Sequence, residues 1–95
     1  MKRQVVLTNP FLRAMRKVAA RDPDRVEAIE AVLDLLTVDV FHPRLKTHKL
    51  TGDLKGLWAC SAGYDLRVVF RFSRREATEA QAVVLVTIGT HEEVY

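Results

Sequence analysis

Four polar residues in this 95-residue sequence lie at predicted strand ends or in a basic loop and have side chains suited to phosphoryl chemistry: His48, Asp65, Arg67 and His91. Histidine exchanges protons near neutral pH, and arginine stabilises negative charge that builds on phosphorus. Such a set suits metal-independent RNA cleavage, in which the ribose 2′-hydroxyl attacks its own phosphodiester. One side chain must remove the hydroxyl proton and another must protonate the leaving 5′-oxygen.

Residues that could bind RNA accompany this set. Lysines at positions 46, 49 and 55 and Arg71 can bind phosphates that flank the reacting one. The final residue, Tyr95, offers an aromatic face on which an unpaired base can stack.

Each candidate also has an ordinary structural explanation. His48 lies between lysines in KTHKL, where a solvated loop histidine is equally expected, and Asp65 follows a Gly-Tyr pair at a turn, where aspartate often binds backbone amides. Arg67 alternates with Arg71 on one face of LRVVFRF, which predicts either an ion-pair lattice or a phosphate-binding surface. His91 directly follows a strand, a position where loops often carry functional residues.

The sequence contains no recognisable motif for several other common kinds of catalytic or binding site. The four glycines are scattered and form neither a P-loop nor a dinucleotide fingerprint. One cysteine and three histidines do not have a zinc-site spacing, so no metal and no cofactor are expected. Cys60 lies within an apolar strand and is interpreted as a buried structural thiol.

The elements that must position these residues follow the order β-α-α-β-β-β. A strand is predicted within 3–8, helices over 10–20 and from the Asp22-Pro23 start signal to about 37, and strands over 57–61, 66–72 and 82–88. Asn9 is predicted to cap the first helix. A basic loop with one short strand is expected over 38–55, and a polar connection over 73–80. The last strand is the most apolar and is predicted to be central.

This order predicts an α+β fold in which an N-terminal strand and a helical hairpin pack on a small, mainly antiparallel twisted sheet. Residues 1–95 are expected to form a single domain. A single cysteine, no signal peptide and no apolar run of membrane length favour a cytoplasmic protein.

The net charge of +3 conceals four alternating blocks. Residues 1–21 carry six Lys/Arg and no acid, and residues 41–75 carry eight Lys/Arg and two acids. Residues 22–40 carry six acids and one arginine, and residues 76–95 carry four glutamates. The two basic blocks can merge into one polyanion-binding face, although charges that simply solvate the surface explain them equally well.

The motif LKTHKLTGDLKGLWACSAGYDLRVVFRF, followed by IGTHEEVY, resembles the RelE/ParE toxin superfamily of bacterial toxin–antitoxin modules, and its YafQ-like branch above all. The YafQ pattern places a histidine before Leu-x-Gly-x-x-Lys-Gly, an aspartate before the next strand, and Gly-Thr-His with an aromatic four residues on. His48, Asp65, His91 and Tyr95 match these positions. The resemblance implies that the histidines and Asp65 serve proton transfer and positioning, and that Tyr95 contacts the substrate.

Two positions depart from the YafQ pattern. The family's second histidine is Ser61 here, and an arginine often found ahead of it is Trp58. Arg67 instead occupies the place where RelE and YoeB relatives carry an arginine thought to neutralise the transition state.

The resemblance implies a ribosome-dependent mRNA endonuclease that inhibits translation. Its partners would be a cognate antitoxin, mRNA and ribosomal RNA in the A site, and a heteromeric toxin–antitoxin complex would form. Two alternatives stay open. One is a non-catalytic ParE-like toxin that inhibits DNA gyrase by protein contact, and the other is a decayed toxin that only binds an antitoxin.

Overall fold

A computed structural model describes residues 3–73 and 81–95 of the chain. Its strands are β1 (Val5–Val6), β2 (His48–Lys49), β3 (Trp58–Ser61), β4 (Leu66–Phe72) and β5 (Val83–Thr90). Its α-helices are α1 (Asn9–Arg21), α2 (Arg25–Val38) and the short α3 (His91–Val94), and two 3₁₀ turns span Pro43–Leu45 and Gly52–Leu54. The predicted α+β fold with an N-terminal strand and a helical hairpin is therefore confirmed.

The five strands form one sheet in the order β1-β5-β4-β3-β2. Among the strands of residues 3–73 and 81–95, β1 and β5 pair in parallel and the other three pairs are antiparallel, which fits the predicted, mainly antiparallel sheet. The apolar strand β5 is interior because the two-residue β1 adds outside it, and β4 holds the middle position because β3 and β2 follow on its other side. A register shift between Val69 and Phe70 marks an irregularity in the β4–β5 ladder.

The helix starts differ from the sequence prediction by a few residues. Thr8, not Asn9, caps α1, because its hydroxyl accepts a hydrogen bond from the Phe11 amide at 3.3 Å. The same hydroxyl donates to the Leu85 carbonyl at 2.7 Å, which ties the start of α1 to β5. Asp22 ends α1 and does not begin α2, since its amide donates to the Val18 carbonyl at 2.9 Å.

The core lies between the two long helices and one face of the sheet. Phe11, Ile29 and Leu36 are fully buried from the helix side. The sheet contributes alternate residues of β4 with neighbours on β3 and β5: Cys60, Leu66, Val68, Phe70, Val83, Leu85 and Ile88. Cys60 is a buried thiol as predicted, and its burial raises the pKa of that thiol to about 12. The opposite face of β4 is thereby free to carry polar side chains.

Of the predicted polar connection over 73–80, only Ser73 lies within the described residues, and its amide donates to the Ala82 carbonyl at 2.9 Å. Across 3–73 and 81–95, no helix is both long enough and apolar enough to span a bilayer.

Candidate active site

Arg67 lies in a cross-strand row that runs over three strands. Ser61 on β3 pairs with Arg67 on β4, and Arg67 pairs with Gly89 on β5. Directly paired residues project from the same face, so the half-buried Arg67 side chain lies on the face away from α1 and α2. Its Nη1 donates to the Leu66 carbonyl at 2.9 Å, which holds the guanidinium near the start of β4.

The chain does not continue beyond β5 as a loop but turns at once into α3. Thr90 is the N-cap: its hydroxyl accepts from the Glu93 amide at 3.3 Å, and Glu93 Oε1 accepts from the Thr90 amide at 2.8 Å. This reciprocal capping box satisfies two amides that a helix start otherwise leaves unpaired. Hydrogen bonding to the Thr90 amide, followed by Arg21, lowers the pKa of the Glu93 carboxyl. Sequence analysis missed this role of Glu93, although Thr-x-x-Glu is the recognisable signal.

Gly89 permits α3 to fold against the end of β5. A Cβ atom at this position would lie 3.0 Å from Glu93 Oε1, 3.1 Å from Glu93 Cβ and 3.2 Å from Val94 Cγ1. These distances are shorter than ordinary carbon contacts, so a side chain at Gly89 would require Glu93 and Val94 to shift by a few tenths of an ångström. The Gly-Thr-His motif therefore has a structural basis in the close approach of α3.

The fold of α3 brings His91 and Tyr95 together with His48. The rings of His91 and Tyr95 meet edge to face, with centroids 4.4 Å apart. The Tyr95 hydroxyl lies 3.4 Å from His48 Nε2. Partial burial raises the pKa of Tyr95, while the positive charge of Arg67 acts in the opposite sense, so the hydroxyl stays protonated at neutral pH. Three of the five predicted catalytic residues thus form one contact chain, with Arg67 close enough to influence Tyr95.

A backbone carbonyl orients His48. Its Nδ1 lies 2.9 Å from the Lys46 carbonyl oxygen, which can only accept a hydrogen bond. In neutral His48, Nδ1 therefore carries the hydrogen and Nε2 carries the lone pair that faces the Tyr95 hydroxyl. Lys46 has a left-handed backbone (φ 52°) at the end of the 3₁₀ turn, and this conformation directs its carbonyl toward the ring.

Asp65 lies beside the start of α2, where it is ion-paired with Arg25. Arg25 also contacts Asp22 at 3.0 Å, so a single guanidinium joins the end of α1, the start of α2 and the start of β4. The Arg25 hydrogen bond is the largest cause that lowers the pKa of the Asp65 carboxyl. No contact within the described ranges links Asp65 to His48 or His91. Sequence analysis missed Arg25, and no local pattern could reveal a pair 40 residues apart.

Two of the predicted RNA-binding residues, Lys49 and Lys55, border two adjoining grooves. A groove of about 440 Å³ is lined by His48, Tyr95 and residues 49–51, 53 and 54. A neighbouring groove of about 650 Å³ shares residues 49–51 and includes Lys55 and Trp58. Lys49 Nζ lies 5.5 Å from the centroid of the Trp58 ring, in a cation–π contact. Lys46 and Arg71 are exposed, Arg71 near the far end of β4.

The geometry can support general acid–base chemistry. Two imidazoles face one tyrosine hydroxyl and ring, and an arginine lies nearby on an open sheet face. Within the part of the chain that the structure describes, no three His, Cys, Asp or Glu residues are grouped so that they could hold a metal ion.

Comparison with known proteins gives a consistent family assignment. A family model described as the bacterial toxin of type II toxin–antitoxin systems, YafQ, matches residues 3–95. Comparison with the curated proteins gave no match.

Solved structures of similar fold include three toxins. A YoeB/ParE toxin from Agrobacterium tumefaciens is 22% identical with a TM-score of 0.72, the alignment covering 93% of this chain and 98% of that one. YafQ from E. coli is 14% identical with a TM-score of 0.75, and 99% of each chain is covered. The E. coli DinJ–YafQ toxin–antitoxin complex contains a chain that is 15% identical with a TM-score of 0.73, with 100% of this chain and 99% of that chain covered.

Proposed function

The chain belongs to the YafQ family, bacterial toxins of type II toxin–antitoxin systems, and from this premise we propose that it is a ribosome-dependent mRNA endonuclease that needs no metal. The observation that carries this proposal is the contact chain from His91 through Tyr95 to Nε2 of His48. A partner-binding protein without catalytic activity has no need of two imidazoles poised around one hydroxyl.

His48 serves as the general base in the proposed reaction. Its Nε2 lone pair is fixed by the Nδ1–Lys46 carbonyl contact, the arrangement that orients a basic histidine. Nε2 removes the proton from the ribose 2′-hydroxyl at the position near which the Tyr95 hydroxyl now lies. The 2′-oxygen then attacks phosphorus, and a new O2′–P bond forms.

His91 serves as the general acid. It donates a proton to the 5′-oxygen as the P–O5′ bond breaks, which leaves a 2′,3′-cyclic phosphate and a 5′-hydroxyl. The guanidinium of Arg67 neutralises charge on the pentacoordinate phosphorus. The Tyr95 ring offers a stacking surface for the base at the cleavage site.

Ribosome binding is assigned to the basic face of α1. Arg13, Arg16, Lys17 and Arg21 are exposed there. Three of them (13, 17 and 21) line a groove with Glu93 and Val94, next to α3. Contacts from this face to ribosomal RNA phosphates would fix α3 relative to mRNA in the A site and make binding salt-dependent.

The remaining proposals follow from the family. The chain acts in the cytoplasm as a single domain, because translating ribosomes are its target. A cognate antitoxin binds it in a heteromeric complex, as DinJ binds YafQ in the solved E. coli complex.

A cleavage assay with His91→Gln tests the proposal. Purified ribosomes programmed with a defined mRNA are mixed with excess toxin, and RNA ends are mapped after a single turnover. We expect cleavage with a 5′-hydroxyl end, and a loss of at least about a hundredfold for His91→Gln, within the range of general acid catalysis. His42→Gln is the matched control, because His42 caps the first 3₁₀ turn, where its Nδ1 accepts a hydrogen bond from the Arg44 amide.

Three outcomes separate the alternatives. Cleavage by His91→Gln at the wild-type rate would show that His91 does not take part in catalysis. Growth arrest without mRNA cleavage, together with inhibition of DNA supercoiling by gyrase, identifies a ParE-like toxin. Antitoxin binding with neither activity identifies a decayed toxin.

A further inference from the structure

The groove of about 650 Å³ at the β2 edge of the sheet, which we name the Trp58 groove, combines aromatic and basic side chains. Trp58 and Phe72 are half-buried; each packs against the core and also lines the groove. Their ring centroids lie 5.3 Å apart, edge to face, and Phe41 contacts both rings, with centroids at 5.6 and 6.4 Å. Because these contacts hold the indole in place, a flat ligand that stacks on it has little further structure to order.

The charged side chains that line the Trp58 groove are both lysines. Lys49 and Lys55 are exposed, and within the described part of the chain no carboxylate lines the groove. Lys49 Nζ lies 5.5 Å from the indole centroid, so a cation covers the ring. Part of the wall is bare backbone, since Gly52 and Gly56 have φ of 66° and 96° and open space lies where their side chains would be. Such a groove suits an anion that carries a flat ring, which is the chemistry of a nucleotide.

The Trp58 groove adjoins the smaller groove beside His48 around one edge of the sheet. Both grooves are lined by residues 49–51, and β2 is the edge strand of the sheet. His48 pairs with Ala59 and Lys49 pairs with Trp58, so the two side chains of β2 point to opposite faces. A single strand of RNA bound at His48 can therefore pass around β2 and place a neighbouring nucleotide beside Lys49.

We propose that the Trp58 groove is a second nucleotide subsite, in which an unpaired base of the cleaved RNA strand stacks on Trp58 while Lys49 and Lys55 contact its phosphates. This rests on the proposed nuclease function. The base takes the place of the Lys49 ammonium over the indole, and that ammonium turns to a phosphate. The subsite holds the strand at a second point and so fixes the position of the scissile bond beside His48.

Intrinsic fluorescence tests whether a base enters the subsite. Trp58 is the only tryptophan of the chain, so its emission reports on this groove alone. The free chain is titrated with a short single-stranded RNA whose riboses carry 2′-O-methyl groups, which removes the attacking hydroxyl. We expect saturable quenching. An abasic oligonucleotide of equal length and charge should not quench Trp58, and in competition it should bind at least about fivefold more weakly, because it has no bases to stack.

Variants test the individual side chains with a fluorescently labelled RNA. Trp58→Ala should weaken binding at least about fivefold, whereas Tyr64→Ala, which removes a 96% exposed ring outside both grooves, should change it less than about twofold. Lys55→Ala should reduce the slope of log affinity against log salt by about 0.7. Its control is Arg44→Ala, which removes an exposed cation that lines neither groove. Should Trp58→Ala fail to fold, the abasic comparison on the wild-type chain still decides.

A double-mutant cycle on programmed ribosomes identifies the nucleotide that occupies the subsite. Single-turnover cleavage is measured for wild type and Trp58→Ala, with intact mRNA and with an abasic nucleotide placed in turn at each position that flanks the cut. At one flanking position we expect the two changes together to slow cleavage no more than either alone, because both remove the same contact.

Two results would overturn the proposal. Equal quenching by the abasic oligonucleotide would make the groove a general anion site, and losses that add at every flanking position would place the occupant outside the cleaved strand. The outcomes for the subsite and for the nuclease are separable. Quenching by the RNA without any mRNA cleavage contradicts only the proposed nuclease function, and cleavage by a chain whose Trp58 stays unquenched contradicts only the subsite.

Discussion

At the scale of single residues, the site consists of side chains whose roles are separated by their contacts. The Lys46 carbonyl fixes His48, a helix presents His91, and Tyr95 contacts both. Arg67 projects from the middle strand of the sheet. Asp65, in contrast, is ion-paired with Arg25 at the start of α2.

Two substitutions separate the contribution of the Tyr95 ring to cleavage from that of its hydroxyl. We expect Tyr95→Ala to slow single-turnover cleavage by roughly 5- to 150-fold, since stacking on a base contributes about 1–3 kcal/mol. Tyr95→Phe keeps the ring packed on His91 and should lose less than about tenfold, a change of at most 1.4 kcal/mol. Equal losses in the two variants would show that the hydroxyl, not the ring, carries the function.

Arg67 has a matched control on its own strand. Arg67→Ala should lower the cleavage rate by more than about tenfold, because charge on phosphorus loses its partner. Arg71→Ala removes an exposed arginine near the other end of β4 and should change the rate much less. If both variants cleave alike while Arg67→Ala lowers the unfolding temperature, Arg67 serves the sheet and not the reaction.

At the scale of elements, α3 is the part that converts a strand end into a site. Four residues cannot form a stable helix by themselves, so the capping box and the close approach at Gly89 must hold it. The Arg21–Glu93 ion pair, at 3.5 Å, adds a contact to α1 but is exposed and contributes little. Helix α3 therefore depends on Thr90, Glu93 and Gly89.

Glu93→Ala tests this dependence. Loss of the capping box should displace His91 and Tyr95, and a displacement of 1 Å can reduce the rate by about a hundredfold. The adjacent Glu92→Ala is the control, since its side chain makes none of the capping contacts. Single-turnover cleavage is compared with thermal unfolding: we expect a reduced rate at a nearly unchanged unfolding temperature. A normal rate would show that α3 is held without the box.

At the scale of the whole molecule, the sheet separates two surfaces, and one guanidinium joins three elements. The contact chain of His48, Tyr95 and His91 occupies one side, and the two long helices with the core occupy the other. Arg25 ties Asp22 to Asp65 and so fixes the helical hairpin to the start of β4. Global stability should therefore respond to the charge of Asp65.

The pH dependence of unfolding tests this link. The pKa of Asp65 is lowered in the folded chain, so its stabilising contribution is present above the ordinary aspartate pKa of about 3.9 and is lost as pH falls through the lower, folded value. Urea unfolding between neutral pH and pH 2 should show Asp65→Asn less stable at pH 7 and less dependent on pH at the acid end. Asp53→Asn, which changes an exposed residue of the second 3₁₀ turn, is the control. Parallel curves for wild type and Asp65→Asn would contradict the role of the Arg25 pair.

The sequence by itself determined the element order, the alternation of β4 and the burial of Cys60. These features depend on the local periodicity of apolar residues and on residue type, both of which can be read directly from the sequence. The helix boundaries were less well determined by the sequence. Asn9 and Asp22 both have side chains that can cap a helix start, but Thr8 caps α1 and Asp22 instead ends α1. The role of Glu93 was indicated by the capping-box motif Thr-x-x-Glu, but acidic residues near a C-terminus are usually explained by solvation.

Only the tertiary structure decided how the site residues meet. His48 and Tyr95 are 47 positions apart, and Arg25 and Asp65 are 40 apart. Such contacts are set by strand register and by the packing of helices on the sheet, and a local sequence pattern predicts neither. The tautomer of His48 also required the fold, because it depends on where the Lys46 carbonyl points.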